Sequence, residues 1–385
     1  MNRFFLCITL CVTGILISKM AFHSGLWSDP PFSVKLYAEE IITESGQKHQ
    51  KKKTKSQNYS GKVSSEEKRE SPNIIIALKK EQDDEKKIEM LQTVKDIKTV
   101  EQILKSMKKE TQCALKSYQN SFSQAAKKAV SQRIKERKNN SLKNKIDVVK
   151  NLQKSDFTKE DVQTKIQPVV DEMLEMCWVD PETLVAENEK VAEDRKNFLK
   201  KMRFHDACVE VYNELISSDS EMKKKQTTEE ILKLIEFDLI LSALPVSAQG
   251  KKILKVNQNL SLTIDFQEAL CISYINRYRI LLEREPFLVD LGLCAVARDH
   301  SHDMATEGFF SHTSPIKGKS SFTDRAKRMG VKGANSENIY MGSSEGKSSA
   351  CGWFYSPGHH KNMMNSAKRV GVGRFGVHYT MMTGG

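Results

Sequence analysis

Three stretches near the C-terminus of this 385-residue chain carry side chains that can bind a metal or move a proton. "GFFSHTSP" (308–315) sets His312 among two aromatic rings and three small hydroxyl residues. "SENIYMG" (336–342) contains Glu337, and "WFYSPGHHKNMMN" (353–365) contains Ser356 and His359. Two neutral imidazoles facing one cavity can hold a divalent ion, with a carboxylate completing or orienting the shell. Ser356, His359 and Glu337 are also the side-chain types of a Ser-His-acid triad. Against that, Ser356 precedes Pro357 in a turn, with no nucleophile-elbow motif and no evident oxyanion hole. His300 and His302, two residues apart on a helix, diverge by about 200° and cannot grip one ion together. His300 is expected beside a packed stripe and His302 toward solvent, both outside the site.

These residues need elements to place them. "DFQEALCISYINRYRILL" (265–282) has the apolar spacing of a helix, and "LCAVARDHSHDMATEG" (293–308) reads as a second helix stopped by Gly308. His312 then lies in a loop. Glu337 opens a short strand-like segment. Trp353 ends a helix, and a Ser-Pro-Gly turn presents His359. "RVGVGRFGVHYTMM" (369–382) reads as strand, bend at Gly376, strand. Phe309, Phe310, Trp353 and Phe354 are expected in the core, and Tyr340, near the strand end, in the wall of a cleft.

Taken in order from Asp265 to the C-terminus, "NRYR", "DMATEGFFSHTSP", "SENIYMG", "WFYSPGHHKNMMN" and "GVG" followed by "HYT" resemble the CAP superfamily, or SCP domain. The W-x-x-S-P-G-H form resembles its bacterial branch. The resemblance covers about a third of the chain and does not touch residues 1–250. It implies an α+β fold: an α-β-α sandwich with a small, mainly antiparallel sheet, here preceded by an all-α region. It also implies roles by motif, with His312 as first histidine, Glu337 as first glutamate and His359 as second histidine. Ser356 stands where the animal proteins have a second glutamate, and His360 where bacterial relatives often carry arginine. The implied ligand cleft is His312, Glu337, Tyr340, Ser356 and His359. Zinc or another divalent metal would be held by His312 and His359, and loss of the second carboxylate weakens that site and removes a general base.

The resemblance implies an extracellular binding module for a lipid, a cell-envelope polymer or a protein. Two alternatives remain. One is a metal-dependent or serine-type hydrolase, for which His312, Glu337, Ser356 and His359 are the candidate catalytic residues. The other is a scaffold acting through the helical region. Histidine–glutamate hydrogen bonds that merely pin loops would leave the cleft without chemistry.

The rest of the chain sets the context. "FFLCITLCVTGILIS" (4–18) is an uncharged apolar run after one positive charge, the length of a secretory h-region and short of the ~20 residues of a membrane span. Residues 1–25 are therefore expected to be a signal peptide or an uncleaved membrane anchor, which places the protein outside the cell or in the envelope. Neither Cys7 nor Cys11 follows a lipobox. Residues 26–75 read as a flexible polar linker rich in Lys, Ser and Gln.

Residues 76–250 read as a helical bundle or a spacer of helical hairpins, and 258–385 as the CAP/SCP domain. Apolar residues from Ile88 to Met107 follow a helical stripe, Asp180-Pro181 starts a helix, and Thr227 with Glu230 has capping-box spacing. The net charge is +12, but lysines interleave with acids as on solvated helix faces, and no nucleic-acid-binding signature is present. Six cysteines lie outside the leader, which leaves disulfides and buried free thiols both open.

Overall fold

The computed structural model describes residues 67–136, 140–216 and 226–385. The expected leader and most of the expected linker lie outside those residues. Helix α1 (Glu67–Lys80) already occupies the linker's last residues, and α2 (Asp84–Gln92) follows, capped by Asp83, which accepts from the Lys86 amide. The apolar stripe then continues into α3 (Ile97–Glu136). Its buried members Leu91, Val100, Ile103, Leu104 and Met107 form a small core with Cys208 and Val211.

Next come α4 (Asn140–Leu152), a π-helical stretch (Val162–Ile166), α5 (Gln167–Cys177), α6 (Pro181–Ala186) and α7 (Glu189–Ile216), which packs along α3. Asp180 caps α6 through the Thr183 amide, as its position before Pro181 predicts, but the expected helix over 180–202 divides at Glu187–Asn188. Thr227 and Glu230 form both bonds of the capping box that starts α8 (Thr228–Ala243), and α9 (Ala248–Leu260) completes this part.

The C-terminal part is α10 (Phe266–Leu281), β1 (Leu288–Val289), α11 (Leu291–Thr306), α12 (Phe322–Arg328), β2 (Ala334–Met341), α13 (Gly346–Tyr355), α14 (Pro357–Met363), β3 (Arg369–Phe375) and β4 (His378–Gly384). The sheet order is β1-β3-β4-β2, with β1 parallel to β3 and the other pairs antiparallel. Helix α11 lies directly on β3. A Cβ on Gly373 would sit 1.9 Å from the Arg298 nitrogen, and one on Gly371 2.2 Å from that of Cys294, so only glycine permits this approach. Helices α10 and α13 pack against each other and against β3 and β2, completing the expected sandwich. Gly376, at φ +59, makes the expected bend between β3 and β4.

One buried core runs from Ala114 of α3 to Met381 of β4, joining the helical part to the sandwich. Trp178 and Phe237 stand 4.9 Å apart, Phe237 is 4.9 Å from Tyr274 of α10, and the Arg277 guanidinium lies 4.4 Å over the Tyr274 ring. Tyr355 donates to Gln167, and Ser273 donates to the buried Asp238. The helical part is therefore packed on the sandwich and does not form a row of free-standing hairpins. Removing residues 76–245 would uncover this seam.

The six cysteines among the described residues are free thiols, and burial pushes those of Cys177, Cys208 and Cys294 up to about 12. Trp353 and Phe354 are buried as expected, whereas Phe310 is 46% exposed on the loop, outside the core expected for it. Among the described residues, no helix is long and apolar enough to cross a membrane.

Candidate functional site

The site lies at the open edge of the sheet, where β2 has a neighbour on one side only. Strand alternation puts Glu337 and Ile339 on one face and Asn338 and Tyr340 on the other. Glu337 faces helices α11 and α12 and is buried. One carboxylate oxygen accepts from Arg325 of α12, whose side chain is also fully buried, and the other lies 2.9 Å from His312 Nδ1. Arg325 further donates to the carbonyls of Lys319 (2.9 Å) and His312 (3.3 Å), so one guanidinium holds both the carboxylate and the loop that carries His312.

His300, on the last turns of α11, completes this floor. Its Nε2–H donates to the Ser311 carbonyl at 3.1 Å and lies 4.0 Å from the Glu337 carboxylate, while its buried Nδ1 has no partner among the described residues. Burial lowers its pKa to about 4, so it stays neutral. His300 is expected outside the site because it cannot share an ion with His302. That divergence holds, since His302 turns to Phe375 (ring centroids 4.7 Å), but it brings His300 beneath the site. Arg325 was missed altogether. The sequence shows it only as one of three cations in "FTDRAKR", and burial alone sets it apart from the exposed Lys327 and Arg328.

His359 approaches from the other side. The Ser-Pro-Gly segment is no turn: Pro357 takes the first position of α14, pre-set for it by its fixed φ, so His359 is helical. Its ring centroid stands 6.4 Å from that of His312 at an interplanar angle of 55°. Burial and the neighbouring His312 lower its pKa. The next residue, His360, points away from the cleft. Its Nδ1–H donates to the Phe354 carbonyl, Nε2 accepts from Gln153, and burial takes its pKa to about 4.

Ser356 joins α13 to α14, and among the described residues its hydroxyl makes no hydrogen bond to His359. Glu337 serves His312 and Arg325. The three residue types of a hydrolytic triad are therefore present without being connected as one. Tyr340, half-buried, sits on the sheet face opposite Glu337, edge-on to Tyr379 at 6.4 Å and beside Gly342 and Gly352.

What the arrangement can do follows from the ring nitrogens. In the tautomer with Nδ1–H donating to Glu337, His312 turns Nε2 outward as an acceptor, the orientation by which a carboxylate prepares a histidine for a metal. Two rings sharing one tetrahedral zinc, with Zn–N about 2.0–2.1 Å, have centroids about 5.2 Å apart. The observed 6.4 Å requires the rings to approach by about 1 Å. Glu337 is engaged on both oxygens, and among the described residues no group of three His, Cys, Asp or Glu converges on one point. The residues fit an ion held by two imidazoles and completed by water or ligand, not a closed protein shell.

Residues 272–376 match the family model for CAP, the cysteine-rich secretory protein family. No curated protein matches the chain. Among solved structures, an extracellular protein containing an SCP domain from Bacillus anthracis str. Ames is 28% identical over the matched region. The likeness covers 36% of this chain and 44% of that one, less than half its length, with a TM-score of 0.29. The motif order, the mixed sheet between helical layers and the family match agree: the C-terminal part of this chain is a CAP/SCP domain.

Proposed function

We propose that this CAP/SCP domain is an extracellular binding module whose cleft offers the ring nitrogens of His312 and His359 to one ligand. The observation that carries the reading is the facing pair itself, with Glu337 engaged by His312 and Arg325 and thus not free to act as a base. Two neutral imidazoles accept hydrogen bonds or bind a cation. Of a lipid, a protein and a cell-envelope polymer, the hydroxyl-dense polymer fits such a pair best. A divalent ion is the other occupant suited to the same nitrogens, supplying a positive centre that an oxygen of the ligand can join. Secretion is supported by the apolar run at 4–18 and by the family's secretory character. The unconnected Ser356 favours binding over hydrolysis.

The test is zinc calorimetry on the full chain and on its His312→Ala, His359→Ala and Ser356→Ala variants. With two protein donors instead of the three or four of a dedicated zinc site, binding should be weak and exchangeable. Either histidine substitution should abolish it, and Ser356→Ala should leave it intact. Binding that survives the loss of either histidine would refute a shared site.

A further inference from the structure

Helix α14 has only seven residues, too few to hold its own position in water. The contacts around it therefore decide where His359 stands. From the sandwich, Asn338 donates to the His359 carbonyl at 3.0 Å, and Asn362 donates to Asn338 at 2.8 Å and to the Glu337 carbonyl at 3.2 Å. Also from the sandwich, Arg279 of α10 donates to the Met363 carbonyl at 2.7 Å, and Phe354 of α13 packs on the His360 ring at 4.7 Å. A second set of contacts comes from the segment after α4, in the helical part.

Gln153 is the centre of that second set. Its amide nitrogen lies 2.9 Å from His360 Nε2, and its amide oxygen accepts from Arg284 at 3.0 Å. Because His360 Nδ1–H is committed to the Phe354 carbonyl, neutral His360 must accept at Nε2, so each hydrogen bond in the chain Arg284–Gln153–His360–Phe354 has a fixed direction. Phe157 packs edge-on to the His360 ring at 5.4 Å, and Lys361 pairs with Asp156 at 2.6 Å. Three successive residues of α14 thus divide the labour: His359 faces the cleft, while His360 and Lys361 are gripped by residues 153–157.

From this geometry we infer that the 153–157 segment is a positioning clamp, through which the helical part sets the distance between His359 and His312. Gln153 and Phe157 are positioning residues, acting through His360. The inference rests on the reading of His359 as a ligand-facing residue, and it gives the helical part a task in the same site.

The experiment compares the full chain with Gln153→Leu, which removes the donor to His360 and the acceptor for Arg284. The histidines are labelled with carbon-13, and the His359 ring resonance is followed by NMR at fixed pH, with the zinc titration beside it. The clamp predicts a displaced or broadened His359 signal in a folded variant and zinc binding weakened about tenfold or more. An unchanged His359 signal and zinc affinity would overturn it. The ring signal needs no ligand, so it reports on the clamp even if wild-type protein binds no zinc. Should Gln153→Leu fail to fold, Phe157→Leu, which keeps an apolar side chain but removes the ring packed edge-on to His360, gives the same reading. A smaller displacement of His359 supports the clamp, and none overturns it.

Discussion

Replacing Arg325 by methionine isolates the most heavily bonded group of the site. Arg325 and Glu337 have side chains 0% and 1% exposed, and the guanidinium also holds the loop carbonyls of Lys319 and His312. Taking away one partner of a buried pair leaves the other charge without compensation, a loss of about 3–5 kcal/mol. Because unfolding entropy grows with chain length, a 385-residue chain shifts by roughly 1–2 °C per kcal/mol, so the unfolding midpoint should fall by roughly 3–10 °C. Methionine fills much of the stem's volume, so the loss reports the charge and its hydrogen bonds more than a cavity.

The double variant Arg325→Met/Glu337→Leu decides between two explanations. If the cost comes from an orphaned carboxylate, removing both charges should recover at least half of the loss, because a buried pair is often replaceable by apolar residues. Thermal and urea unfolding of the wild type, both single variants and the double variant measure this as a cycle. A loss below about 1 kcal/mol for Arg325→Met, or a double variant as unstable as the sum of the singles, would refute the reasoning.

Two other changes follow from close packing and burial. Gly373→Ala should cost at least the 1–3 kcal/mol of an overpacked core, because its Cβ would meet backbone of α11 that cannot swing aside; near-wild-type urea unfolding would contradict the contact. Asp238 is buried with Ser273 as its donor, and burial raises its pKa to about 7. A carboxyl that is harder to ionise when folded contributes stability below its unfolded value near 4, and that contribution is lost as pH rises toward about 7. Asp238→Asn should therefore be close to neutral at pH 4 and stabilising at pH 8, by at most about 4 kcal/mol. Urea midpoints at the two pH values would show it, and parallel curves would not fit.

Much of the sandwich was legible because its signals are local. Capping residues announce helix starts, alternation at Val370 and Val372 announces a strand, and Gly376 announces the bend. His312, Glu337 and His359 were legible through motif order, and the structure gathers all three. What stayed hidden depends on distant partners. Arg325 looks like one more cation on a basic helix until Glu337 is placed beneath it. The placement of His300 beneath Glu337 was not legible, because the turn of α11, and not its neighbours in sequence, decides which face it serves. The division of 180–202 and the break between α2 and α3 were invisible to apolar periodicity, which carries through a short irregular link unchanged.

The same contrast explains the character of the cleft. In the proposed cleft, Ser356 at the place where the resemblance implies a second carboxylate, together with a glutamate paired with a buried arginine, leaves little net charge. Selection by such a cleft must come from direction and spacing, namely where two ring nitrogens point and how far apart they stand. Direction depends on Glu337 fixing the tautomer of His312, and spacing on a short helix held partly by the helical region. A charged pocket would tolerate small movements of its walls, since Coulomb attraction changes slowly with distance. Hydrogen bonds to two opposed imidazoles do not tolerate them, because they weaken steeply with misalignment. That sensitivity gives a physical reason for the helical part to be packed against the domain it precedes.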